Sequence, residues 1–74
     1  MVRTHLIRNE IKSHIIGAGM TMQSTVDRLS AKYGWSDSVP NLSGKLKRGT
    51  LRYTEALELA DVLGYDLVWV PRKN

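Results

Sequence analysis

The sequence predicts an all-α domain of four short helices followed by a strand-like C-terminal segment. Three observations carry that expectation. Apolar residues recur at three- and four-residue spacings in four separate stretches. Glycine, proline or a small polar residue punctuates each gap between those stretches. Only residues 65–70, Y-D-L-V-W-V, leave this period; they are rich in β-branched and aromatic side chains and are stopped by Pro71.

The first helix is expected over residues 4–16. Ile7, Ile11 and Ile15 recur every four positions, Leu6 and Ile16 widen the stripe, and Gly17 and Gly19 follow as stop signals. The second is expected over 21–33. Thr21 is placed to cap it, Met22, Val26, Leu29 and Tyr33 form its apolar side, and Gly34 stands where a left-handed C-terminal residue belongs. In the linker that follows, Ser36 and Asp37 are candidate caps for a third helix over 38–47. Pro40 is tolerated there only in the first turn, where its missing N–H has no helical partner to lose. Gly49 ends that helix. Thr54 is expected to cap the fourth, over 54–63, with Ala56, Leu57, Ala60 and Leu63 inward, Glu55, Glu58 and Asp61 on the outside, and Gly64 closing it. A lone strand needs an edge to pair with. The expectation is therefore that Tyr65, Leu67, Val68, Trp69 and Val70 pair with their copies in a homodimer, the competing reading being an extended tail on its own core.

Charge is distributed very unevenly along this chain. Lys45, Lys47, Arg48 and Arg52 fall within eight residues, and residues 38–54 contain no acid. The remainder holds seven basic and seven acidic side chains, so the net charge of +4 comes entirely from this segment. A focused positive charge is the footprint of a polyanion site, although most basic amphipathic helices are simply solvated faces. Val39, Leu42 and Leu46 give the third helix a dry side. Opposite them the helical wheel puts Asn41, Gly44 and Arg48 with Lys45 beside them, side chains suited to base edges and phosphates.

A 74-residue chain is read as one domain with a small core, burying about 60% of its unfolded surface, so association is a cheap route to stability. There is no cysteine for a disulfide or thiolate metal site, and no long apolar run for a signal peptide or membrane span. A cytoplasmic location is expected. With no Phe and few aromatics, a single-strand binder that stacks bases on several rings is disfavoured. His5 and His14 lie nine residues apart, which is not the spacing of a helical metal pair, and no glycine loop follows a strand to cradle phosphate. No cofactor, metal or catalytic residue is expected. Met20 and Met22 read as core fillers, and Trp35 as a plug at the core edge more readily than a stacking ring.

Taken in order, four pieces resemble the lambda-repressor-like (XRE) helix-turn-helix domains of bacterial and phage regulators. They are G-M-T at residues 19–21, T-V-D-R-L-S-A-K-Y-G at 25–34, N-L-S-G-K-L-K-R-G at 41–49 and A-L-E-L-A-D-V-L-G at 56–64. The resemblance covers roughly residues 10–65 and implies a helix laid in the major groove, with phosphate contacts from the preceding helix and the following loop. Candidate base contacts are Ser38, Asn41, Gly44, Lys45 and Arg48, with Ser38 equally readable as a cap. Candidate phosphate contacts are Gln23, Ser24, Lys47, Thr50 and Arg52, while Arg72 and Lys73 either touch DNA or keep a strand edge soluble. The expected function is sequence-specific binding of double-stranded DNA by a small dimeric repressor. Two rival readings use the same basic face: a protein-interaction module, such as an antitoxin or phage accessory factor, or an RNA binder.

Overall fold

The computed structural model describes residues 4–73. Four α-helices follow one another: α1, Thr4–Gly17; α2, Met22–Tyr33; α3, Val39–Arg48; and α4, Tyr53–Leu63. The boundaries track local chemistry. Thr21 caps α2: its hydroxyl accepts from the Ser24 N–H at 3.0 Å, and Ser24 Oγ accepts in return from the Thr21 N–H at 2.9 Å. Gly34 and Gly49, at φ of 76° and 67°, end α2 and α3 in the left-handed conformation that a Cβ would make costly.

Packing joins α1 to α3 and α2 to both α3 and α4. One buried group gathers Ile15, Leu29, Leu59, Val62 and Leu63, and a second gathers Val26, Leu42 and Leu46. Ile11, Met22, Trp35 and Leu51 touch both and make the two groups continuous. Thr25 is fully buried and polar, and its hydroxyl finds a partner by donating to the Thr21 carbonyl at 2.7 Å.

Several sequence expectations are corrected. Ile16 is 75% exposed and Leu6 is exposed too, so only Ile7, Ile11 and Ile15 form the inward side of α1. The cap of α3 is Ser38, whose hydroxyl accepts from the Asn41 N–H at 3.3 Å, rather than Ser36 or Asp37. In α4 the helix begins before Thr54: Arg52 is the capping residue, and Glu55 reaches back to accept its N–H at 2.9 Å. Leu57 faces outward, because the buried side of α4 is set by Leu59, Val62 and Leu63, and Leu57 lies well off that stripe.

Residues 65–70 form no strand among the described residues. A ladder needs a second backbone, and none lies alongside: no backbone-to-backbone hydrogen bond among the described residues involves residues 66–73. Instead the segment lies on its own chain. Tyr65 stacks obliquely on His14 with ring centres 4.8 Å apart, Leu67 lines a groove with Ile11, Ala56 and Leu59, and Trp69 donates from Nε1 to the Tyr53 hydroxyl at 3.0 Å. Contacts at 65, 67 and 69 show the alternation of an extended chain.

Candidate nucleic-acid interface

The dry side of α3 is held by Leu42 and Leu46, both fully buried, with Val39 half-buried beside them. That anchoring decides what the helix shows to solvent. Asn41, Lys47 and Arg48 are exposed, as are Thr50 and Arg52 in the segment that leads into α4. None of these residues takes part in either of the two ion pairs found among the described residues. Four of the predicted contact residues, Asn41, Lys47, Arg48 and Gly44, thus share one side of the helix away from the core.

Lys45 does not join them. Its ammonium pairs with the Glu55 carboxylate and lies 5.0 Å from the centre of the Trp35 ring, leaving the lysine side chain 26% exposed. The physical reason is its position on the helix: Lys45 is only about 60° around the axis from Leu42, so its stem follows the edge of the core toward α4. Glu55 accepts from both Lys45 and the Arg52 N–H, and these two donors hold its carboxyl below the usual carboxylate range.

Two neighbouring acids also accept hydrogen bonds from other parts of the chain. Glu58 Oε1 accepts from the Trp35 indole N–H at 2.7 Å. Asp61 accepts from Lys32 Nζ at 2.5 Å and from the Tyr33 hydroxyl at 2.6 Å; the lysine and then the phenol lower its pKa, while the same contact raises that of Lys32. Glu55 and Glu58, half-buried, are therefore not the solvent ridge expected: they form a seam that ties α3 and Trp35 to α4, while Asp61 stays exposed as expected and meets Lys32 and Tyr33 at the surface.

Gly44 is covered by a side chain rather than by a neighbouring helix. A Cβ at this position would lie 2.7 Å from Arg48 Nη1, so the guanidinium one turn on folds back over the bare backbone. Of the predicted phosphate contacts in α2, Ser24 is half-buried and engaged in the capping box, and the Gln23 amide donates to Asp27 Oδ1 at 2.9 Å and to the Asp37 carbonyl at 3.3 Å. Both residues lie in the first turn of α2: Ser24 closes the N-terminal cap with Thr21, and Gln23, exposed, reaches the α2–α3 connection only through its amide N–H group at Asp37. Tyr53 and Glu55 carry structural contacts that no local motif announced; only the run of acids at every third residue in α4 hinted at a ladder.

Among the described residues no group of three or more His, Asp or Glu side chains is placed to hold a metal ion, and no helix is long and apolar enough to cross a membrane. Comparison with protein-family models, curated proteins and solved structures found nothing that matches this chain.

Proposed function

We propose that this chain is a lambda-repressor-like helix-turn-helix domain that binds double-stranded DNA, with α3 as the recognition helix, and that it acts as a small bacterial or phage repressor. The observation that carries this reading is the surface formed by Asn41, Lys47, Arg48, Thr50 and Arg52, which is exposed and has no acid in its own stretch of chain. Asn41 suits adenine and Arg48 suits guanine in the major groove, and Lys47, Thr50 and Arg52 suit the flanking phosphates. Ser38 and Lys45 are reassigned to positioning the helix, since one caps it and the other ties it to α4. Binding, with no catalysis and no cofactor, is the proposed activity.

A homodimer is part of the proposal. Val68 and Val70 are 72% and 78% exposed and alternate along the tail with the less exposed Tyr65 and Leu67, Trp69 is 85% exposed, and no backbone-to-backbone hydrogen bond among the described residues involves residues 66–73. Two-fold pairing along the tail would place two recognition helices on a palindromic site whose half-sites are about 34 Å apart or a multiple of that.

Selection of bound sites from random duplexes tests the reading. Enrichment of a short two-fold-symmetric sequence is expected. Retention of all duplexes alike, lost at moderate salt, would favour a protein partner, and stronger competition by duplex RNA would favour an RNA binder.

A further inference from the structure

The tail does more than hang on the domain. Four spacings along α4 bring its end to the cationic edge. Tyr65 is fixed at the C-terminal end of α4, where its N–H donates to the Ala60 carbonyl at 2.9 Å and its hydroxyl lies 3.4 Å from the Cβ position of Gly17. Trp69 meets the other end at the surface: 85% exposed, it touches Tyr53, the first residue of α4, with ring centres 6.2 Å apart in addition to the indole hydrogen bond. The four steps from Tyr65 to Trp69 cover about 13 Å of extended chain, close to the ~15 Å that ten residues of helix rise. The tail thus returns antiparallel to α4.

What lies beyond the clamp is basic. Pro71 holds the preceding residue extended, and Arg72 and Lys73 follow, both exposed and in neither ion pair. Arg72 can stand no more than about 11 Å along the chain from Trp69. Tyr53 is the sequence neighbour of Arg52, the last of the four cations in the basic segment. A tail that touches Tyr53 therefore has two further cations within chain reach of the edge where Arg52 stands.

We propose that residues 69–73 form a second phosphate-binding arm, in which the Trp69–Tyr53 clamp sets Arg72 and Lys73 beside Arg52 against the sugar-phosphate backbone of the duplex held by α3. This rests on the DNA-binding reading and extends it to residues outside the helix-turn-helix. Trp69 and Tyr53 are positioning residues; Arg72 and Lys73 touch the phosphates.

The test is the salt dependence of binding by the full chain to a short mixed-sequence duplex, read by fluorescence anisotropy. Replacing Arg72→Gln and Lys73→Gln together should lower the slope of log K against log salt by about 1.8, so that the advantage of the native chain shrinks roughly twelvefold between about 50 and about 200 mM salt. Trp69→Ala keeps every charge yet should lower the same slope, with melting temperature and circular dichroism unchanged, whereas Trp69→Phe, which retains a ring on Tyr53, should recover part of it. A double variant with the native slope overturns the arm. A native slope in Trp69→Ala overturns the clamp as what places it. If the native chain itself does not bind duplex at low salt, the DNA reading fails and the arm with it, a result distinct from either of the others.

Discussion

Asn41, Lys45 and Arg48 look equivalent on a helical wheel, and the fold treats them differently. The sequence shows all three on the polar half of α3, but the wheel says nothing about what α4 puts beside that helix. Lys45 sits nearest the dry side and meets Glu55 and Trp35, while Asn41 and Arg48 stay open. Lys45→Ala should consequently show itself mainly in chemical denaturation, as a loss of about 1 kcal/mol, with base preference in the selected site unchanged. Asn41→Ala should leave stability alone and erode discrimination at one base pair by ~1 to 3 kcal/mol. Uniform weakening across all sequences would remove base reading from Asn41. Gly44 allows a prediction of opposite sign. Alanine there gains about 1 kcal/mol of helix propensity, and its methyl displaces only the flexible end of Arg48, so Gly44→Ala should raise the melting temperature while altering DNA affinity through the moved guanidinium. A fall in melting temperature would mean that the Gly44–Arg48 contact is worth more than the propensity it replaces.

At the scale of elements, the acidic side of α4 is the part least legible in the sequence. Charged residues at 55, 58 and 61 ordinarily mark a solvated face, and here they bind Lys45, Trp35, Lys32 and Tyr33. Each partner comes from a distant part of the chain, so no local pattern could pair them. The helices themselves were legible within a residue or two, because spacing of apolar residues and left-handed glycines are local signals. These acids have a pH signature. Glu55 and Asp61 have folded-state pKa values below their unfolded ones, so they add stability above the ordinary carboxylate range that is lost as pH falls through their depressed values, most of it from the better-covered Glu55 because solvent screens the exposed Asp61–Lys32 pair. Denaturation midpoints should be flat near neutral pH and fall through the acid range below about 4.5. The paired change Glu55→Gln and Asp61→Asn should lower the neutral midpoint and flatten the acid limb. An acid limb as steep as the native one would assign the acid sensitivity to other carboxylates.

For the whole molecule, the small core and the exposed tail belong together. Among the described residues eight apolar side chains are buried, a core so small that one large cavity, as in Leu46→Ala, costs ~2 to 5 kcal/mol, a large share of a marginal stability. Association through the tail would bury Val68 and Val70 and satisfy the backbone that residues 66–73 leave open. Light scattering on the full chain at micromolar concentration should give twice the chain mass, and Val68→Glu with Val70→Glu should give the chain mass while helix content stays the same. A native monomer under these conditions would remove the two-fold arrangement and leave each α3 to act alone.

By itself the sequence determined where the four helices run, which residues stop them, and that all of the excess charge lies on and after the third. These are matters of short-range spacing and of residue type, and the chain states them locally. Only the tertiary structure decided that one of the four cations is turned onto α4, that Glu55 and Glu58 form a seam, and that the strand-like tail returns along its own helix to Tyr53. Those outcomes depend on which surfaces meet after packing, and the side chains involved are separated by ten to twenty-nine positions along the chain.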